Sequence, residues 1–287
     1  MKRKIKFSAT DFLELQLPQT RKDQFFFILK NQYWTLFLLG LILMLSLLPI
    51  IINVYFKNFF ENGFYDLYAS GNISKAEYDS AFLYLTIGSS GISTILLSVF
   101  AISLSGANRI IKLMVYGEGV VFKEDFKLGI KQNYLNTFLI CFFFGIILTI
   151  VRFLSTFFLE YLIGIPLYIF LAIVVAPIFI IALIFTSIYE ANVFQCINNA
   201  AKLFVHYWWQ FILLSIVPLG SIYALSLLGS TTYILSLIQI VLAVFVLPIY
   251  LLLLYEISNS MFDKYINKDN FEDNYMKGLY KPSNEKE

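Results

Sequence analysis

Long apolar runs alternate with short polar segments along most of the chain. The runs cover residues 34–56, 81–104, 136–158, 162–186, 208–228 and 233–255. Each is long enough to cross a hydrocarbon layer of about 30 Å, which takes roughly 20 helical residues. The pattern therefore predicts an all-α, polytopic membrane protein with a single domain, residues 1–287, in which residues 34–255 form a membrane region of six transmembrane helices.

The lengths of the connecting segments indicate which helices are neighbours. Only a short turn near Glu160 separates the third and fourth runs, and residues 229–232 separate the fifth and sixth. Both pairs are therefore expected to form tight helical hairpins. The first run starts too late and is too long for a secretory signal peptide, so it is expected to remain as a membrane helix.

Three polar segments, 26–37, 127–138 and 202–211, lead into membrane helices in a similar way. Each has an amphipathic stretch followed by a tyrosine. The middle one repeats apolar residues every four positions, at Phe122, Phe126, Ile130 and Tyr134, with basic residues beside them at Lys123, Lys127 and Lys131. This pattern is typical of a helix lying in the membrane interface. It predicts three hairpins, each introduced by a cytoplasmic amphipathic elbow helix, although unrelated interfacial helices would share the same residue types.

The distribution of Lys and Arg predicts the orientation. The N-terminal segment 1–33 carries seven, the connector 105–135 five, the connector 187–207 one and the tail 256–287 five. The opposite side carries only Lys57 and Lys75. Because basic residues accumulate on the cytoplasmic side, both termini are expected in the cytoplasm, with 57–80 as an external loop of a plasma-membrane protein.

One arginine lies inside the third run. A central Arg costs roughly 2.5–3.5 kcal/mol on the insertion scale, whereas each Leu, Ile, Val or Phe contributes roughly −0.3 to −0.6. Residues 138–158 contain fifteen such residues. Their sum offsets Arg152, which can also extend its charged group toward the interface.

Composition excludes several functional classes. Hydrophobic residues make up 59% of the chain and charged residues 14%, against about 25% charged in soluble domains. With one His and two Cys, a His-based triad or a zinc site has too few groups. The chain has no Walker A loop and no G-x-S-x-G sequence. We therefore expect no enzymatic activity, cofactor or metal, and no nucleic-acid binding, since the basic segments border membrane helices.

Ionisable and polar groups near the membrane are the candidate solute or packing site. Arg152 and Glu160 are close enough in sequence to pair on one helix face, or each can simply face the interface. Glu190 and Glu256 end the fourth and sixth runs, where they are expected either to face Arg109 or Lys112 or to lie in water. The complete candidate set is Arg152, Glu160, Glu190, Glu256, Asn108 and Arg109, with Lys123, Lys127 and Lys131 as a lipid-facing basic elbow.

Parts of the sequence resemble the YesL-like family of bacterial membrane proteins of unassigned function. The shared features are Ser46-Leu47-Leu48-Pro49, the stretch 112–134, and NNAAKLFVHYWWQF at 198–211; the best matches in 112–134 are Phe122, Asp125, Phe126, Lys131 and Asn133. The resemblance departs in 57–80 and in the N-terminal segment. It implies an accessory role beside carbohydrate-uptake systems and brings no catalytic residues.

These observations lead to two functional hypotheses. The first is a non-enzymatic accessory or scaffolding membrane protein, with the lipid bilayer and a transport permease or ATPase chain as partners. The alternative is a small-solute or ion transporter that uses helices broken at Pro177, Pro218 and Pro248, because broken helices expose backbone carbonyls to a cavity.

Overall fold

The computed structural model describes residues 17–157, 164–189, 191–228 and 233–280; the side chains of 157, 165, 213–228, 233–240, 242 and 243 are not described. Within these ranges the chain is helical and contains no strand. The α-helices are α1 Arg21–Asn31, α2 Tyr33–Ala69, α3 Lys75–Val115, α4 Phe122–Phe157, α5 Ile165–Phe170, α6 Ala176–Ile188, α7 Val193–Leu228, α8 Tyr233–Phe262 and α9 Lys268–Asn270. Two π-helical segments, Leu171–Val175 and Asp263–Asn267, and a 3₁₀ turn, Glu272–Asn274, complete the described structure.

The helices agree with an all-α polytopic membrane protein. Within the described ranges, five are long and apolar enough to cross a membrane: Tyr33–Ala69, Lys75–Val115, Phe122–Thr156, Pro166–Ile188 and Val244–Asn270. The predicted run 208–228 is part of α7, but most of its side chains lie outside the described set. Six spans therefore stay a prediction.

Residues 57–80, expected as an external loop, are mostly helical. Helix α2 continues to Ala69 and α3 starts at Lys75, where Ser74 and Glu77 form a capping box. The rings of Tyr68 and Tyr78 stack across the hairpin with centroids 5.3 Å apart. Helix propagation is favourable once these caps and contacts exist, so the hairpin extends beyond the apolar run.

The three predicted elbows differ in backbone structure. Gln32 (φ −125°, ψ 23°) separates α1 from α2, and Tyr207 (φ −128°, ψ 22°) interrupts α7. The middle segment has no such break and is continuous with its membrane helix as α4. This segment packs on α3, where the ring of Phe126 lies against Gly106. The amphipathic stretch therefore continues along α3 as part of α4 and does not turn away as a separate helix.

The two terminal segments meet at one end of the helix bundle. Helix α8 continues to Phe262, past the end predicted at 255, and the chain then turns back toward α1. The Tyr280 amide donates to the Pro18 carbonyl at 2.8 Å. The side chain of Gln24 donates to the carbonyls of Val115 and Gly278. The described part of the predicted tail is therefore packed against the bundle.

Candidate functional site

A buried ion cluster lies where the two terminal segments meet. Nη2 of Arg21 donates to Oδ2 of Asp263 at 2.6 Å, and Nη1 lies 4.0 Å from Oε2 of Glu256. Nη1 also donates to Oε1 of Gln24 at 2.9 Å and to the Lys277 carbonyl at 3.0 Å. The side chains of Arg21, Glu256 and Asp263 are 10%, 3% and 11% exposed, so water is largely excluded. We call Arg21, Gln24, Glu256 and Asp263 the Arg21 cluster.

The acidic half of the cluster comes from one face of α8 and its π-helical continuation. Glu256, Asn259, Asp263 and Asn267 recur at spacings of three or four, which places them on one side of a helix, and all four are buried. Nδ2 of Asn267 donates to Oδ1 of Asp263 at 2.9 Å. The helix therefore ends in a polar stripe that needs partners inside the protein.

The basic half comes from the first turn of α1. Thr20 caps this helix, and its hydroxyl accepts from the Asp23 amide while Asp23 bonds back to Thr20. The cap fixes where α1 starts, and Arg21 is its first residue. One turn later, the side chain of Gln24 donates to the carbonyls of Val115 and Gly278. These two bonds fix the rotation of α1 so that Arg21 faces α8.

Two carboxylates share a single guanidinium in this cluster. Asp263 accepts from Arg21, from Asn267 and from the Met276 amide at 3.1 Å. Neither carboxylate oxygen of Glu256 accepts a hydrogen bond from any residue that the structure describes. A buried carboxylate without hydrogen bonds depends on a nearby positive charge. Asp263 is therefore a satisfied structural group, whereas Glu256 retains acceptor capacity for a proton or a cation.

Two tyrosines beside the cluster are neutral phenols. Burial raises the pKa of Tyr116 far above its usual value, although the nearby Arg21 charge acts in the opposite direction. Burial likewise raises the pKa of Tyr189, whose hydroxyl donates to Oδ1 of Asn267 at 2.6 Å. Nζ of Lys277 lies 4.9 Å from the centre of the Tyr116 ring, a cation–π distance. The Tyr189 phenol serves packing and hydrogen bonding, whereas the Tyr116 hydroxyl has no hydrogen-bond partner among the residues that the structure describes. Both phenols remain protonated at neutral pH.

Of the predicted pair Arg152 and Glu160, the structure describes only Arg152. Arg152 is half-buried on α4, and its Nη1 lies 3.3 Å from Oγ of Ser90 on α3. Glu160 and Glu190 lie outside the described residues, so the pairing of Arg152 with Glu160 and the contact of Glu190 with Arg109 or Lys112 stay predictions. The structure brings Glu256, the remaining acid of the set, next to Arg21.

The other predicted residues lie on α3 and at the start of α4. Asn108 is buried. Nε of Arg109 lies 3.5 Å from Oδ1 of Asp125, and its Nη1 donates to Oε1 of Gln132 at 2.7 Å. Arg109 therefore ties α3 to α4. The exposed lysines of the predicted elbow, Lys123, Lys127 and Lys131, are on the same helix.

Sequence reasoning missed Arg21, Asp263 and Asn267. The spacing of Glu256, Asn259 and Asn267 could have indicated this site. Polar residues that recur every three or four positions after an apolar run predict a polar helix face inside the protein. Ending the sixth helix at 255 concealed it. Arg21 had no comparable signal, since it is one of seven basic residues in a polar segment.

A cavity of about 760 Å³ opens beside the Arg21 cluster. Its walls come from the end of α6, the first half of α7 and the segment that follows α8. Tyr189 connects the two sites, because it lines the cavity and its hydroxyl donates to Asn267, which in turn donates to Asp263 of the cluster. Neither Arg152 nor Glu256 is among the described residues that line it.

The part of the chain that the structure describes contains no group of three or more His, Cys, Asp or Glu residues that could hold a metal ion. Cys141 and Cys196 are both buried free thiols. Burial raises the pKa of the Cys196 thiol to about 11. Because the thiolate is the reactive and metal-binding form, this cysteine is inert at neutral pH.

No protein-family model, curated protein or solved structure matches this chain. The resemblance of residues 112–134 to the YesL-like family therefore stays a prediction. The same holds for the accessory role that it implies.

Proposed function

We propose that this protein is a non-enzymatic scaffold of the plasma membrane that binds a membrane chain of a transport system, a permease or an ATPase subunit. The observation that carries the proposal is an apolar stripe on the projecting α2–α3 hairpin. Its members are Ile52, Phe56, Phe59, Phe60 and Leu67, between 43% and 72% exposed. They recur at helical spacing, so they form one continuous face of α2.

The hairpin is longer than a membrane helix needs to be. Helix α2 has 37 residues and α3 has 41, which correspond to lengths of about 55 and 60 Å at 1.5 Å per residue. A hydrocarbon core of about 30 Å covers little more than half of either helix. The part of the stripe from Phe59 to Leu67 therefore extends past the apolar run at 34–56.

The side of α2 that carries Lys57 is occupied by α3. Nζ of Lys57 lies 2.6 Å from Oε2 of Glu61 and 5.5 Å from the centre of the Phe82 ring on α3. Phe59 is two residues from Lys57, or about 200° around the helix, so it points away from α3. An exposed aromatic face on a rigid hairpin is typical of a protein interaction site.

Polar groups within the predicted spans bond to one another. Nδ2 of Asn53 donates to the Ser89 carbonyl and to Oγ of Ser93, both at 2.8 Å. The hydroxyls of Thr94 and Thr149 are 3.0 Å apart. Interhelical bonds of this kind contribute about 0.6 kcal/mol each to packing. They support an internal structural role for these groups and a packed interior between α2, α3 and α4.

The proposal includes the finer topology predicted from the sequence. It has six spans as three hairpins introduced by cytoplasmic elbows, both termini in the cytoplasm, and the α2–α3 hairpin outside. The strong bias of Lys and Arg toward one side supports this orientation. The partner would then meet the hairpin at the outer membrane surface.

The test is a pull-down from native membranes in mild detergent with wild type, Phe59→Ser/Phe60→Ser and Phe26→Ser/Phe27→Ser. The last is a matched control, because Phe26 and Phe27 are also adjacent exposed phenylalanines but lie on α1. We expect a stoichiometric permease or ATPase chain with wild type and control. The hairpin variant should lose about tenfold or more of it, since aromatic anchors dominate interfaces. Equal recovery with the hairpin variant would contradict the proposal.

A second candidate function, solute or ion transport, is favoured by one observation. The π-helical segment Leu171–Val175 ends two residues before Pro177 in an apolar helix, and π segments occur frequently at functional sites. The same pull-down separates the two, because a transporter that works alone would be recovered as a single chain from all three preparations.

A further inference from the structure

The cavity beside the Arg21 cluster has a polar side supplied by one helix. Asn199, Lys202, Leu203 and His206 of α7 all line it. Their spacing of three, four and seven residues places them on one face of the helix. The His206 ring also lies edge-on to the Tyr265 ring with centroids 5.7 Å apart, which holds the imidazole at the cavity wall. The side chains of Asn199, Lys202 and His206, of which Lys202 is cationic, thus offer three hydrogen-bonding groups to the same cavity.

The remaining walls are mainly apolar. Phe185 and Ile188 of α6 line the cavity on one side, and Ile266 and Phe271 line it on another. The rings of Tyr189 and Phe271 are 5.2 Å apart and join these two walls. A volume of about 760 Å³ lies within the range of sites that bury a small organic molecule or part of a lipid. The cavity therefore suits a ligand with an apolar part and one polar end.

The exposed side chains near the cavity are of the kinds found at the membrane interface. The same helix exposes Phe194 and Val205, 72% and 69% accessible, and beyond the break at Tyr207 it exposes Trp208 and Trp209. Apolar and Trp side chains on one side of a short amphipathic helix are typical of burial at the level of lipid headgroups. A ligand that comes from the bilayer would meet the cavity at that depth.

The charges around the cavity favour a negative ligand. Lys202 lines it, and Nζ of Lys264 lies 5.2 Å from the centre of the Tyr265 ring, which is also part of the wall. No carboxylate is found among the described lining residues; Glu272 and Asp273 are exposed on the neighbouring 3₁₀ turn, and Glu190 lies outside the described residues. An acidic headgroup near two lysines would gain favourable electrostatic energy.

From these observations we propose that the cavity binds an anionic amphiphile. The acidic headgroup lies between Lys202, Asn199 and His206, and the apolar chain lies against Leu203, Ile188 and Phe271. The site does not depend on the proposed transport partner, because it is built from α6, α7 and the segment after α8, away from the α2–α3 hairpin. It adds a lipid or lipid-like ligand to the function of the protein.

The experiment uses the purified full chain in maltoside micelles and a phosphatidylglycerol with a fluorophore on its acyl chain, followed by fluorescence anisotropy. Unlabelled phosphatidylglycerol, phosphatidylcholine and glycerol phosphate are the competitors. Competition by phosphatidylglycerol alone supports the site and identifies a bilayer lipid as its ligand. Competition by glycerol phosphate at similar concentrations also supports the anion site but identifies a soluble source. Equal competition by phosphatidylcholine overturns the proposal.

Two variants test the location of the site. Lys202→Gln should weaken binding of the labelled lipid about fivefold, the effect of one basic residue beside an acidic headgroup. Asn199→Phe should abolish binding, because the ring fills the space between α7 and the opposite wall. Lys127→Gln is the control, since Lys127 is an exposed lysine at the start of α4 outside the cavity. Unchanged binding in Lys202→Gln, with a wild-type melting temperature, would overturn the assignment.

Discussion

Arg21 joins three parts of the chain that are far apart in sequence. Its guanidinium contacts Asp263 across 242 residues and the Lys277 carbonyl across 256 residues. It is also the described positive charge nearest to Glu256. Replacing a buried ion cluster by apolar residues is often neutral, but removing one partner leaves an uncompensated charge. The contribution of Arg21 is therefore best measured by removing it alone and then together with an acid.

We predict that Arg21→Gln lowers the free energy of unfolding by about 3–5 kcal/mol, the cost of leaving a buried carboxylate without its cation. SDS titration and thermal melting in micelles would measure it. Adding Glu256→Gln should restore part of the loss, because one of the two buried acids left without the guanidinium is then removed. Lys22→Gln is the matched control, since Lys22 is an exposed neighbour on the same helix turn. Wild-type stability of Arg21→Gln would refute this account.

At the scale of the helices, glycines determine how closely pairs of helices approach. A Cβ at Gly40 on α2 would overlap the carbonyl oxygen of Val244 on α8 and lie 3.2 Å from Cγ of Pro248. The two helices therefore touch backbone to backbone at this crossing, as small residues permit in membrane proteins. Gly63, on the same helix, has nothing within 4 Å of the corresponding position.

These two glycines give opposite predictions for one substitution. Gly40→Ala should destabilise the protein by about 1–3 kcal/mol, the usual cost of overpacking, because backbone must move to admit the methyl group. Gly63→Ala should stabilise it by about 0.5–1 kcal/mol, because alanine loses less conformational entropy than glycine in the middle of a helix and the added methyl group meets no neighbour. SDS titration of both variants would measure the difference. A loss of stability in Gly63→Ala equal to that in Gly40→Ala would show that helix contact is not the cause.

The amphipathic segments show how element structure depends on neighbours. The first and third have similar break conformations, at Gln32 and Tyr207. The second continues unbroken, because Phe126 and Gly129 pack closely on α3 at Gly106 and Arg109. A similar residue pattern thus yields two backbone structures, so the threefold repeat stays a prediction.

At the scale of the whole molecule, orientation is open to direct measurement because the native cysteines do not interfere. Cys141 and Cys196 are 4% and 0% exposed. Burial raises the pKa of Cys196 to about 11. Since its folded pKa lies above the working pH, the thiol stays protonated and unreactive toward maleimide at pH 7.4, and reacts only after unfolding or at strongly alkaline pH.

We therefore predict that a membrane-impermeant maleimide leaves the native protein unlabelled in intact cells but labels Lys75→Cys. Lys127→Cys, the matched control at another exposed lysine, should be labelled only after the membrane is permeabilised. The reason is the excess of Lys and Arg on the side that holds Lys127. Labelling of residue 75 only after permeabilisation would reverse the proposed orientation.

The class of the protein follows from the pattern of its apolar runs. Apolar runs longer than about 20 residues are sufficient for membrane helices, because the bilayer imposes length and composition on each segment independently of the others. The all-α class followed from the same patterns, whereas the position of Glu256 beside Arg21 did not. The class of the protein and its helical type depend on local sequence and on the surrounding solvent, and five of the described helices are long and apolar enough to cross a membrane.

The tertiary structure alone decided which polar groups meet. Arg21 was one basic residue among seven in its segment, and only the folding of α1 against α8 placed it beside Asp263. The continuous helix at 122–157 and the cavity beside α7 likewise depend on contacts between elements distant in sequence. The local sequence does not predict such pairings. They form only when distant helices pack closely enough to exclude both lipid and water.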